Sequence, residues 1–383
     1  MPDVLPPPPA PEKPLQRFWE RLTEGREVAE LWSQFKSDAQ AGYRFYSREI
    51  DWQAVDTLPE KERRREAARS LLWAILKAFS PARRLLLLLG LVLIVIFQPA
   101  EVDFMLRSQH VHFQVPGLSI LGVLMILALL GLEVADRVSM KRDLEIAREI
   151  QQWLVPAAPP EVAGAELAFA TRPANTVAGD YHDVFPRPGD SGRRVLVTVA
   201  DVAGKGVPAA LLMATFQASL RTLSATPCSL PELLRGLNQY ACAHSQGGRR
   251  FTTAVLVELD AAAHSLAYIN AGHNAPVLRR RSGAVERLEV GGVPLGILED
   301  ASYPAGAASF VPGDLLLIFT DGLVEAVNHA GEEYGEERML GLLAGTDGAD
   351  ATGVLRRLMA DLDAFVGGAH QHDDITCLVL RAT

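Results

Sequence analysis

Residues 193–213 read RRVLVTVADVAGKGVPAALLM. A strand-like apolar run, Val195 to Ala200, ends on Asp201, a turn with Gly204 and Gly206 follows, and Pro208 opens a helical pattern that continues to Leu223. Gly204 to Ala209 also satisfies the G-x-G-x-x-A spacing of a dinucleotide loop. That reading fails on context: around Ala225 to Ser229 no strand ends in an acidic residue for a ribose, and the pattern around it is not that of a parallel sheet.

Further strand patterns are LAFATR (167–172), FTTAVLVEL (251–259), HSLAYINA (264–271), APVLRRR (275–281), DLLLIFTD (314–321) and DITCLVLR (374–381). Helical patterns cover Leu230 to His244, Arg338 to Leu343 and Ala351 to Phe365. Strands joined by short turns, with helices in pairs, point to an α+β fold of antiparallel sheets covered by helices.

Aspartates recur where these runs begin and end. AGDYHD holds Asp180 and Asp183, VADVAGKG holds Asp201, FTDGLVEA holds Asp321, and HDDITCLVL holds Asp373 and Asp374. An apolar run beside a carboxylate tends to bury it, which is costly unless the carboxylate is paired or binds a cation. One such turn is an ordinary capped loop; the set suggests carboxylates converging on hard cations, Mg²⁺ or Mn²⁺ rather than Zn²⁺.

These motifs resemble the SpoIIE-type (RsbU-like) branch of the metal-dependent PPM, or protein phosphatase 2C, family. The collinear matches are Ile150-Gln151 with Leu154-Val155-Pro156, Pro173-Ala174, Val177 to Asp183, Asp201 to Met213, Leu237-Asn238, Phe251-Thr252-Thr253, Asn270 to Pro276, Gly291 to Gly296, Gly313-Asp314, Thr320 to Asn328, Tyr334-Gly335 with Arg338, and Asp373 to Thr376. Ala178, His182 and Ala203 depart from the usual Gly, Tyr and Ser, and none of these changes removes a carboxylate.

The resemblance implies a four-layer αββα sandwich with two Mn²⁺ or Mg²⁺ ions at one edge. Carried over by motif, Asp180, Asp201 and the Val202 backbone carbonyl would hold one ion, and Asp201, Asp321 and Asp373 the other. Asp183 and Asp374 are better read as orienting ligands or metal-bound waters, though either could itself bind an ion. It also implies in-line attack by a metal-activated water on phosphoserine or phosphothreonine of a signalling partner, such as an anti-anti-sigma factor, without a protein nucleophile. Neither Cys228 nor Cys242 has an arginine at the spacing of a cysteine-phosphatase loop. Lys205 is either an acid or phosphate contact or a surface lysine beside the helix start. His273 in NAGHNAP is either a ligand or general acid or, the better reading, a histidine held within its own turn.

N-terminal to this region, Glu133 to Leu154 lacks Gly and Pro. Met140, Leu144, Ala147, Gln151 and Leu154 follow coiled-coil spacing, and Ile146, Ile150 and Trp153 form a second stripe. The seam predicts either a homodimer through this linker or packing on the chain's own catalytic domain. Before it lie two uncharged runs, LLLLLGLVLIVIF (85–97) and GLSILGVLMILALLGL (117–132), without a polar face. Arg83 and Arg84 precede the first run and Arg137, Lys141 and Arg142 follow the second, which places both termini in the cytoplasm of a multi-pass inner-membrane protein.

The expected divisions are a proline-rich and helical cytoplasmic region (1–80), a two-span hairpin (82–134), a helical linker (135–155) and a phosphatase domain (156–383). The first dozen residues read as disordered, and Leu15 to Phe79 as amphipathic helices near the membrane face. With 37 Lys+Arg against 46 Asp+Glu the net charge is −9, which disfavours nucleic-acid binding. Three scattered cysteines exclude a disulfide framework. Two rivals are weaker. A sensor histidine kinase needs a histidine on the linker, and none lies between His112 and His182; a catalytically degenerate binding module does not account for the intact Asp180, Asp201, Asp321 and Asp373.

Overall fold

The computed structural model describes residues 59–97, 100–106, 109–115, 118–189, 193–245 and 247–383, with isolated positions between 32 and 57. The proline-rich start and most of the aromatic stretch expected to form amphipathic helices lie outside the described residues. Two compact units divide at Arg137 and Val138.

In the first unit, α1 (Glu60–Ala78) and α2 (Pro81–Ile96) meet at a sharp bend of 119°. Ser80 caps α2, its hydroxyl accepting from the Arg83 amide, and Pro81 takes the first turn, where a missing N–H costs nothing. Between the two apolar runs, strands β1 (Ala100–Leu106) and β2 (Gln109–Val115) form an antiparallel hairpin. Helix α3 (Leu118–Leu154) is one unbroken element of 37 residues that carries the second apolar run and the linker together.

The expectation of two spans is met in part. Among the described residues α3 alone is long and apolar enough by itself to cross a membrane; α2 reaches such a length only when joined to α1 across the bend. With 16 residues, α2 extends roughly 24 Å at about 1.5 Å per residue, short of a hydrocarbon core of about 30 Å. The two apolar helices touch through glycines: a Cβ on Gly122 would lie 2.5 Å from the Gly90 carbonyl oxygen, so only glycine permits this approach.

The second unit holds two sheets. One has the order β10-β7-β6-β5-β4, with β11 also on β7, and the other the order β3-β13-β12-β8-β9. The first comprises β4 (Tyr181–Pro186), β5 (Arg194–Val202), β6 (Thr252–Asp260), β7 (Ser265–Ala271), β10 (Gly291–Gly292) and β11 (Gly306–Ser309). The second comprises β3 (Ala165–Arg172), β8 (Val277–Arg279), β9 (Val285–Arg287), β12 (Leu315–Phe319) and β13 (Ile375–Ala382). All pairings are antiparallel except β10 with β7.

The unbroken apolarity of Val195 to Ala200 follows from this layering. Val195, Val197 and Val199 face the second sheet, while Leu196, Ala200 and Val202 face the layer of α4 (Val207–Ser224) and α5 (Leu230–His244). Likewise Leu316 and Ile318 of β12 enter the inter-sheet core, and Leu315, Leu317 and Phe319 pack under α7 (Glu336–Ala344) and α8 (Ala351–Val366). Each such side chain contributes about 1.5–3 kcal/mol when fully buried. The result is the expected helix–sheet–sheet–helix stack. Strand β4 was missed because YHDVFP carries an aspartate and a histidine inside a six-residue run whose first five positions are all buried.

Candidate metal centre

Strand direction gathers the aspartates. Antiparallel register pairs Tyr181 with Ala200 and so sets Asp180 beside Asp201 at one end of the first sheet. Phe319 pairs with Cys377, which sets Thr320 and Asp321 against Asp374 and Thr376 at the corresponding end of the second. A four-residue helical turn, α6 (Asp321–Val324), starts at that edge. Its Gly322 is required by close approach: a Cβ there would lie 2.1 Å from the Asp374 carbonyl oxygen.

Asp180 is 4% exposed and accepts a 2.9 Å hydrogen bond from the Thr320 hydroxyl. Burial, then the neighbouring Asp201, push its pKa well up. Asp201 is raised to about 7, chiefly by burial, with Asp321, Asp373 and Asp374 adding to the effect. Asp321 is raised by burial and by Asp373. The Val202 carbonyl stands against Gly179, whose added Cβ would come within 3.2 Å of it.

Asp374 sits at the same edge with both oxygens committed, accepting from the Ala174 amide at 2.7 Å and the Gly179 amide at 2.6 Å. It thereby ties the loop that presents Asp180 to the start of β13. Lys205 reaches the cluster: its Nζ lies 2.9 Å from Asp373 Oδ2.

Asp183 is elsewhere. It points from β4 toward the helical layer, where Arg221 of α4 grips both carboxylate oxygens at 2.7 Å and Tyr181 donates its phenol hydrogen. A strand alternates faces, so two carboxylates three residues apart along it need not share a site. The guanidinium also lies over the Phe185 ring, 4.0 Å from its centroid. Asp183 thus fastens α4 to the first sheet.

His273 is buried and lies against β6. Asn270 holds the turn, its side chain accepting from the His273 amide at 2.7 Å and donating to the His273 carbonyl at 2.9 Å. The imidazole Nδ1 meets the Thr253 hydroxyl at 2.8 Å, and that hydroxyl is 3.4 Å from the Asp201 carbonyl oxygen. Burial holds the His273 pKa down at about 4, so the ring is neutral at pH 7. Thr320, Thr376 and Arg221 were not singled out from sequence as site or anchoring residues. The first two lie inside the FTDG and DDIT motifs, and nothing local marks Arg221.

No trio of acidic, histidine or cysteine side chains among the described residues already stands in ligating geometry. The aspartates share an electrostatic neighbourhood instead: Asp201 raises Asp180, Asp373 raises Asp321, and Asp321 and Asp373 both raise Asp201. A donor set made of oxygen alone, with carboxyls held up by burial and mutual repulsion, fits a hard divalent cation, which would relieve that repulsion.

Comparison with known proteins bears on the fold and the family. IcfG of Synechocystis sp. is 26% identical over 278 residues, 66% of this chain and 43% of IcfG, so the chain spans less than half of that relative. The phosphoserine phosphatase RsbU of Bacillus subtilis is 26% identical over 243 residues, 63% of this chain and 70% of RsbU. The SiaA-PP2C domain of Pseudomonas aeruginosa superposes with a TM-score of 0.57 at 22% identity, covering 65% of this chain and 99% of that domain, and so shows the same fold. Residues 191–383 match the family described as Stage II sporulation protein E (SpoIIE), and the chain belongs to that family.

Proposed function

We propose that the protein is a metal-dependent protein serine/threonine phosphatase that removes phosphate from phosphoserine or phosphothreonine on a signalling partner, such as an anti-anti-sigma factor. The observation that carries this reading is the convergence of Asp180, Asp201, Asp321 and Asp373 on one edge of the sandwich, in a chain of the SpoIIE family. Asp180, Asp201 and the Val202 carbonyl are assigned to one ion, and Asp201, Asp321 and Asp373 to a second. Mn²⁺ or Mg²⁺ bound there supplies an activated water and neutralises charge on the phosphoryl oxygens. The protein's own part is positioning. Thr320 holds Asp180, Asp374 ties the 173–179 loop to β13, and the His273–Thr253 pair braces the strand end that carries Asp201.

The same reading places the chain in the inner membrane through an α2–α3 hairpin, with the phosphatase domain in the cytoplasm. Its support is the uncovered apolar surface of α3, the Gly90–Gly122 approach, and Arg83 pairing with Asp136 at 2.6 Å where α3 leaves its apolar run. The linker is assigned to a homodimer, with its contact moved from the expected seam. Leu144, Ala147, Gln151 and Leu154 are half-buried in the chain's own unit, and Gln151 exchanges two hydrogen bonds with the Ala178 peptide. Ile146, Ile150 and Trp153, the last 79% exposed, form the free stripe.

The test is hydrolysis of p-nitrophenyl phosphate and of a serine-phosphorylated protein by the full chain in detergent, with Mn²⁺ or with chelator, against Asp201→Asn. Activity that needs the ion and falls at least a hundredfold in the variant is expected. Activity indifferent to both ion and variant would overturn the reading.

A further inference from the structure

One cation stands within the acidic edge. Lys205 sits in the turn between β5 and α4, flanked by Gly204 at φ 115° and Gly206 at φ 70°, conformations that other residues rarely adopt. Its Nζ is 2.9 Å from Asp373 Oδ2 and 2.5 Å from the His372 carbonyl oxygen. Its charge also pulls down on Asp321 and Glu325, so a single ammonium faces three carboxylates.

The pair with Asp373 is half-exposed, at 52% for the lysine and 38% for the aspartate. Such a pair is weak and exchangeable in water. Lysine presents a compact charge on a flexible stem, well suited to leaving one anion for another. Asp373 is also assigned above to the second metal ion. A divalent ion that takes Asp373 Oδ2 competes with the ammonium for that oxygen and approaches against its positive charge, whereas among the described residues no ion pair places a cation on Asp180 or Asp201.

We propose that Lys205 is a tethered counter-ion that competes with the divalent ion for Asp373. It weakens binding at the Asp321–Asp373 half, so this half fills at a higher ion concentration than the Asp180–Asp201 half. The inference rests on the phosphatase reading for the ligand assignment. It adds that the ion supply, sensed through Lys205, sets how much of the protein carries a complete site.

The experiment is a Mn²⁺ titration of the full chain in detergent at fixed neutral pH, following free Mn²⁺ by electron paramagnetic resonance. Wild type is compared with Lys205→Met, Lys205→Gln, Lys205→Arg and, as a control on the exposed face of α3, Lys141→Met. Removal of the charge in the Met and Gln variants tightens the weaker binding step by about two- to tenfold, while Lys205→Arg and Lys141→Met follow wild type. Thermal unfolding checks that each variant is folded, and the Gln variant serves if the Met variant is not. Unchanged or weaker binding in a folded charge-removing variant overturns the inference. If Asp201→Asn abolishes binding while Lys205→Met and Lys205→Gln match wild type, the inference alone fails; if neither wild type nor these variants bind Mn²⁺, the metal-site reading fails with it.

Discussion

At the scale of single residues, the strictest demands come from atoms that leave no room. Gly322 meets the Asp374 carbonyl so closely that Gly322→Ala must push α6 away from β13 and carry Asp321 with it. The expected outcome is loss of Mn²⁺-dependent hydrolysis, together with a destabilisation of about 1–3 kcal/mol measured by urea unfolding. His273 gives the pH signature. Its pKa in the folded protein is about 4 because it is buried, whereas an unfolded histidine titrates near 6.5. Between these values the unfolded chain binds more protons, so stability falls as pH is lowered from about 6.5 toward 4, by up to about 3 kcal/mol for this group. His182, also held down at about 4 by burial, adds a like share, so His273→Gln should lessen that slope without abolishing it, read from unfolding midpoints across the interval. These residues were legible in part. The FTDG and NAGH motifs drew attention to Gly322 and His273, but the reason for the glycine is the Asp374 carbonyl just before β13, some fifty residues away, and sequence spacing cannot express such a contact.

At the scale of elements, α4 is fastened to the first sheet by Arg221, whose partner Asp183 is fully buried. Removing the arginine leaves a buried carboxylate unpaired. Arg221→Ala should therefore destabilise by about 3 kcal/mol, and Asp183→Asn combined with Arg221→Met by clearly less, a non-additivity measurable by a double-mutant cycle. Sequence reasoning grouped Asp183 with the metal residues because it lies in the same motif as Asp180. The alternation of β4 separates them, and which face is which depends on what packs on each side. The linker teaches the same point. Heptad spacing located an apolar seam on α3, yet Gln151 on that seam pairs with the Ala178 peptide of the chain's own domain. Gln151→Ala should cost about 1–2 kcal/mol of domain stability. Asp substitutions at Ile146 and Trp153 should lower the oligomeric state in detergent, as measured by light scattering, without that loss.

At the scale of the whole molecule, the chain joins an apolar unit to a phosphatase-fold unit through one helix. Deleting residues 82–134 should move the protein from the membrane fraction to the soluble fraction, as followed by ultracentrifugation of lysates. Burial and neighbouring carboxyls disfavour the charged forms of Asp180, Asp201 and Asp321, and a bound divalent ion would relieve this, so chelation and ion loading should shift stability as well as activity. The sequence by itself determined antiparallel sheets covered by helices and the identity of the acidic residues, because periodicity, apolar runs and Asp-bearing turns are local properties; the four-layer sandwich was implied by the family resemblance. Only the tertiary structure decided which aspartates share an edge, that Asp183 belongs to a helix anchor, that Lys205 lies against Asp373, and which stripe of the linker stays exposed. Those outcomes depend on strand register and on contacts between residues far apart in the chain, where the free energy of a buried charge is set by whichever partner the fold brings within reach.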